Sequence, residues 1–241
     1  MKKVGLFLIT YLCCILFNIS LIDNAFAVDD GGYEYKGGWG ISPDNDKYFN
    51  SPKGVAVDAA GNIYVADTAN HRIQRFDASG TLTMRWGSLG TGSGQFNSPA
   101  DVAVGTDCVY VLDTNNNRVQ KFTTGGVFVL QWGGSNKPQG IAVGTDGCVY
   151  VADTNSHRIQ KFDGSGTFIK QWGEYDELAP GKFSGPKGIA VANGSVYVAD
   201  TGHDAIQQFS TNGTFANMWG REFLSSPDGI AVDTDSSVYV A

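Results

Sequence analysis

Three histidines, four aspartates and three arginines recur at matching places along this chain, and they are the side chains whose types and spacing suit chemistry. His71, His157 and His203 all lie in short polar bends. Three imidazoles on one face would invite zinc, which takes nitrogen ligands at about 2 Å. Yet His71 and His157 fill one place in a repeated phrase and His203 the neighbouring one, each in a different repeat. Ligands on separate units are poorly placed to converge on one ion, so no metal site is expected. Asp67, Asp113, Asp153 and Asp200 each open an Asp-Thr pair. A ring of carboxylates would suit a cation, but a residue needed in every repeat usually builds the repeat. Each is expected to cap its own bend through the local backbone and to meet the arginine five residues on. The arginine series Arg72, Arg118 and Arg158 breaks at Ala205, which reads either as drift near a worn end or as a place where function breaks a local rule. The candidate ligand-binding set is therefore His71, Arg72, Arg118, His157, Arg158 and His203. No nucleophile-elbow, zinc-protease or phosphate-loop motif occurs, and no catalytic residue or cofactor is assigned. Asp44-Asn45-Asp46 and Asp233-Thr234-Asp235 lack the glycine and distal glutamate of a calcium loop.

These residues are carried by a repeat. From Lys53 onward the chain writes P-x-G-V/I-A-V, a turn, V/I-Y-V-A/L-D-T, N-x-R-V/I-Q-K/R-F, a second turn and a closing W-G. The tyrosines are Tyr64, Tyr110, Tyr150, Tyr197 and Tyr239; the closing tryptophans are Trp39, Trp86, Trp132, Trp172 and Trp219. A period in the forties with four short β-phrases per unit predicts an all-β fold, a β-propeller with one four-stranded blade per repeat. Alternating apolar positions and Gly/Asn turns predict strands at 53–58, 63–67, 72–77 and 81–87 in the first unit. Complete blades are expected at 52–87, 99–133, 138–173 and 186–220. A lone outer strand is expected at 33–40 and a partial blade at 227–241. Phe49, Phe96, Phe183 and Phe223, in the connections between units, are expected to plug neighbouring blades together. The b–c bends and the d–a connections share one rim of a propeller, so that rim is where a ligand is sought.

Residues 1–27 are expected to be a cleaved signal peptide: Lys2 and Lys3, an apolar run from Val4, then Ala25-Phe26-Ala27. Cleavage would leave 15 basic and 23 acidic residues of the original 17 and 24. An acidic exported chain is a poor partner for nucleic acid or an anionic membrane surface, and no later run is long enough to span a bilayer. Cys108 and Cys148 hold one position in consecutive repeats, too far apart for a disulfide, and are read as unpaired. Asn193-Gly194-Ser195 and Asn212-Gly213-Thr214 have the form of glycosylation acceptors.

The phrase G-V/I-A-V-D-x-x-G-N-V/I-Y-V-A-D-T-x-N-H-R-I-Q-K-F resembles the NHL repeat. Its tripeptide reads Asn70-His71-Arg72, Asn116-Asn117-Arg118 and Ser156-His157-Arg158 here. The resemblance implies a propeller that is typically six-bladed, so four full units and parts of others read as a truncated one, with an open edge suited to self-association. It also implies one of several functions: an RNA platform, an exported sensor or adhesion domain, or an enzyme such as an amidating lyase, lactonase or streptogramin lyase. No ligand set of the enzyme subgroups carries over to these residues. The expectation is an exported, non-catalytic binding scaffold for a protein or glycan at the cell surface. The alternative is a metal-assisted lyase or lactonase using the rim histidines.

Overall fold

The computed structural model describes residues 48–177 and 179–241. The expected signal peptide, the lone strand at 33–40, Trp39 and the Asp44-Asn45-Asp46 cluster lie outside them. The first blade is β1 (Val55–Val57), β2 (Ile63–Asp67), β3 (Arg72–Phe76) and β4 (Leu82–Trp86). The second is β5 (Pro99–Val104), β6 (Cys108–Asp113), β7 (Arg118–Thr123) and β8 (Phe128–Gly133). The third is β9 (Gly140–Val143), β10 (Val149–Asp153), β11 (Arg158–Phe162) and β12 (Phe168–Trp172). The fourth is β13 (Pro186–Ala192), β14 (Ser195–Asp200), β15 (Ala205–Ser210) and β16 (Phe215–Trp219). Then β17 (Ile230–Val232) and β18 (Val238–Val240) form a two-stranded sheet among the described residues. Every pairing is antiparallel between consecutive strands, strands a to d in order, which is the meander of a propeller blade. Each b–c bend is a single 3-10 turn. No helix among the described residues is long and apolar enough to cross a membrane.

Burial follows the position of a strand within its blade. The b strands are buried at every residue from Ile63 to Asp67 and from Val149 to Asp153; in the third blade one face of this strand packs on the second blade and the other on the fourth. The alternation seen in I-Y-V therefore does not mark a half-exposed strand. Only the outer strands β4 and β8 alternate between half-buried and exposed residues. Among the described residues, three of the four apolar clusters join neighbouring blades, and the fourth gathers Ile63, Val65 and Phe76 on the first blade. One cluster joins Tyr64, Ile73 and Phe96 to Val102, Val111 and Phe122, and the next joins Tyr110, Leu112 and Val119 to Ile141, Val151 and Phe162. The closing tryptophans of the first three blades lie against the phenylalanine of the following blade: Trp86 with Phe122, Trp132 with Phe162 and Trp172 with Phe209, at 5.7–6.0 Å between ring centres. Repeat units of this kind are stabilised chiefly by their interfaces.

Phe96 and Phe183 are fully buried plugs, each against the glycine that follows a closing tryptophan. Phe223 is not a plug. It is 75% exposed, and Leu224, the residue three before Pro227, packs on Gly220 in its place. Cys108 and Cys148 are free thiols.

The second repeat departs from the phrase at its inner strand, where Asp101 stands in the place of Gly54, Gly140, Gly188 and Gly229. Its Oδ2 accepts from the Ile141 N–H of the next blade (2.9 Å) and its Oδ1 from its own neighbour Val102 N–H (2.8 Å). A Cβ on Gly54 would stand 2.3 Å from that Oδ1, so the carboxylate occupies room that Gly54 leaves open. Burial pushes the Asp101 carboxyl up to about 7, against the two N–H groups that favour its charged form. A folded-state value above the ordinary 3.8 means that this contribution to stability is complete below that value and is lost as pH rises toward 7. Asp101→Asn removes the charge and leaves one acceptor for the two N–H groups, a loss that does not vary with pH. The variant's stability relative to wild type should therefore rise by about 1–2 kcal/mol from pH 4 to pH 8. Urea denaturation at the two pH values checks this, and an equal effect at both would refute it.

Candidate functional site

Each b–c bend is a joint assembled from residues distant in sequence. The aspartate at its start makes no cap to the turn it precedes, contrary to the expectation of local backbone capping. Its Oδ1 instead accepts from the incoming d–a connection: Asp67 from Asn50 N–H, Asp113 from Asn97, Asp153 from Asn136 and Asp200 from Ser184, at 2.5–2.8 Å. The reason is geometric: strand b ends beside that connection, whose N–H would otherwise be buried without an acceptor. Oδ2 faces the arginine five residues on, as the spacing implied, with Arg72, Arg118 and Arg158 at 2.7–2.8 Å. All four carboxylates are fully buried, and a glutamine on strand c completes the shell for Asp67, Asp113 and Asp200.

The arginines then reach back over the d–a connection. Arg118 is the fullest case. Its Nε donates to Asp113, its Nη1 to Thr91 O and Gln131 Oε1, and its Nη2 to Gly92 O and Gln95 O, at 2.7–2.9 Å. Those acceptors engage all five donors of the guanidinium. Arg72 bridges Asp67 to Tyr48 O, and Arg158 bridges Asp153 to Gly134 O and Gln171 Oε1.

The residue closing each bend adopts the left-handed conformation and clasps the next blade. His71 Nδ1 accepts from Ser98 N–H and His157 Nδ1 from Gly185 N–H, at 3.0 and 2.9 Å. Asn117 and Asp204 use side-chain oxygens for the same task toward Lys137 and Ser226. The threonine of the Asp-Thr pair adds a second clasp, since Thr114, Thr154 and Thr201 donate to the carbonyls of Pro138, Pro186 and Pro227 at 2.8 Å. Sequence reasoning missed this clasp, whose only signal was the constant threonine.

His203 occupies the place of Asn70, Asn116 and Ser156, and is buried. Its Nδ1 lies 2.6 Å from Asp200 Oδ2 and its Nε2 2.7 Å from Asp176 O. The three histidines thus belong to three different joints. Among the described residues no group of three or more His, Cys, Asp or Glu side chains is arranged to hold a metal ion.

With the repeated polar residues engaged in these joints, the rim presents what varies between repeats. Leu89 and Tyr175 stand at the same place in two d–a connections, each beside a buried plug phenylalanine, and are 62% and 57% exposed. Phe223 projects from the next connection. The Tyr175 ring lies 5.0 Å from that of His157. A signal for these positions existed in the sequence: each follows a closing W-G by two or three residues.

A family model described as the NHL repeat matches residues 49–76, 96–122, 136–162 and 183–209, each match starting in a d–a connection and ending at the phenylalanine of strand c. Among curated proteins, the chain is 48% identical over 56 residues to Protein brain tumor of Drosophila melanogaster, covering 23% of this chain and 5% of that protein. It is 34% identical over 58 residues to RING finger protein nhl-1 of Caenorhabditis elegans, covering 24% and 6%. Thus the chain spans only a small part of the relatives it matches. Among solved structures, a streptogramin B lyase superposes with a TM-score of 0.65 at 22% identity, over 83% of this chain and 64% of that one. A virginiamycin B lyase from Staphylococcus aureus gives 0.64 at 20% identity over the same shares. At such identities the likeness is one of fold.

Proposed function

Because the chain belongs to the NHL-repeat β-propeller family, we propose that it works as a non-catalytic scaffold that binds a protein partner on the rim of b–c bends and d–a connections. The observation that carries this reading is the division of labour on that rim. The cations and imidazoles that the sequence offered as ligand groups are committed to joints, whereas Leu89, Tyr175 and Phe223 are large, apolar and exposed. Exposed apolar anchors among polar neighbours suit a protein surface. Arg118, with every donor engaged, could bind a ligand only by surrendering internal bonds. The likeness to streptogramin lyases concerns the fold, and fold alone does not carry an activity.

The proposal includes export to the cell surface, supported by the charged start, apolar run and A-x-A end of residues 1–27. A surface protein is the favoured partner there, with a glycan as the competing outcome. The test compares wild type with Leu89→Ser/Tyr175→Ser/Phe223→Ser as bait for proteins extracted from the source organism's own surface. The expected result is one partner, confirmed by binding in purified form, whose affinity falls at least about tenfold in the variant. A purified partner bound equally by both would sink the rim reading.

A further inference from the structure

In the first three blades a guanidinium ties the buried aspartate to the carbonyls of the d–a connection, through Arg72 to Tyr48 O, Arg118 to Gly92 O and Arg158 to Gly134 O. In the fourth blade the arginine position holds Ala205, which is fully buried, and the imidazole of His203 spans the same gap. We propose that His203 is a proton-dependent clasp, its doubly protonated ring replacing the guanidinium and holding residues 174–177 against the fourth blade.

The proton inventory comes from the partners. Asp176 O is a backbone carbonyl and can only accept, so Nε2 donates. Asp200 already takes Ser184 N–H on Oδ1 and Gln207 Nε2–H on Oδ2, at 2.8 and 2.6 Å. A carboxylate so supplied with donors is acting as an ionised acceptor, and Nδ1 at 2.6 Å donates to it as well. The other charged groups of this region are occupied. Asp204 accepts from Ser226 N–H, Asp176 through its carboxylate from Ala179 N–H, and Glu174 pairs with Lys182. Asp200 is the charge in contact with the imidazole.

An arginine keeps its charge at every physiological pH, whereas an imidazole does not. Nδ1–H faces the carboxylate and Nε2–H a neutral carbonyl, so the second proton would leave Nε2, removing the bond to Asp176 O and setting a ring lone pair against that carbonyl. The clasp is therefore closed while the ring is doubly protonated and loosens as pH rises. Residues 174–177 carry Tyr175, so on the rim reading given above the clasp would regulate how that anchor is presented; the clasp itself does not depend on that reading.

The test is hydrogen exchange in the full chain at about pH 6 and pH 9, the amides of residues 174–177 being compared with those of 88–92, which Arg118 secures. The ratio cancels the intrinsic effect of pH on exchange. We expect it to rise about tenfold in wild type and to stay flat in His203→Asn/Ala205→Arg, which restores the arrangement of the second blade. A flat ratio in wild type would overturn the proposal, and needs no variant to fold. Nitrogen spectra of the imidazole at pH 6 give a second reading: both ring nitrogens protonated is the expected result, and one bare nitrogen refutes it. Neither measurement involves a partner, so failure of the rim reading would leave this result standing, and the converse.

Discussion

Replacing Asp113 by alanine should cost the fold about 3–5 kcal/mol, the range for breaking a buried, hydrogen-bonded ion pair from one side. The carboxylate is fully buried and has four donors: Asn97 N–H at 2.7 Å, Arg118 Nε at 2.8 Å, Asn116 Nδ2 at 2.9 Å and Gln120 Nε2 at 3.2 Å. Removing it strands a guanidinium whose Nε faces the buried cluster, together with an amide N–H that has no other acceptor nearby. The penalty is dominated by those orphaned groups and not by the lost attraction. That distinction is itself testable. In an Asp113→Ala/Arg118→Met double variant the cation is gone, so the combined loss should be smaller than the sum of the two single losses by at least about 1 kcal/mol. Urea denaturation of the four proteins closes the cycle. A single-variant loss below about 1 kcal/mol would mean that the joint is ornamental and that the repeated aspartate serves something else.

The second large effect concerns the seat of the closing tryptophan. Gly166, in the c–d turn of the third blade, has φ +83°, and a Cβ added to it would lie 2.6 Å from Trp132 Cε3 and 2.7 Å from Cδ2. Gly126 and Gly213 stand in the same relation to Trp86 and Trp172. Gly166→Ala should therefore cost about 3 kcal/mol, combining about 1 for the left-handed backbone with about 2 for displacing a packed indole. Trp132→Ala should cost about 3–5 kcal/mol, since the ring fills the interface between the second and third blades. The two must not add. Once the indole is gone, Gly166→Ala retains only its backbone cost. Gly125→Ala serves as the control, because its nearest neighbour would be Thr123 Oγ1 at 3.6 Å, and it should change stability by less than about 0.5 kcal/mol. Additive losses would show that the indole does not rest on Gly166.

Much of the fold was legible because each signal is local. The four β-phrases, the turns between them and the tryptophan period sit within one unit, so strand type and blade architecture follow from reading along the chain. The pairing of Asp67 with Arg72, Asp113 with Arg118 and Asp153 with Arg158 was legible for the same reason: five residues across one bend leave the two side chains few other places to meet. The candidate site was harder to read. His71 looks like a free rim group in a linear phrase, and Arg118 like one bound only to Asp113; the joint reveals that their other polar atoms have partners 23–27 residues away.

By itself, then, the sequence determined an all-β repeat, its strand order and the residues that each repeat requires. The tertiary structure decided what those residues are for. Whether Phe223 or Leu224 fills the plug depends on how the connection after Gly220 turns, and one residue of shift sends a phenylalanine into solvent. Which backbone an aspartate caps depends on the connection that strand b meets at its end. The task of His203 depends on the absence of an arginine at Ala205 and on a carbonyl 27 residues upstream. Local pattern specifies a blade, but the joints are made by registering one blade against the next, and that register exists only once the interfaces between blades have packed.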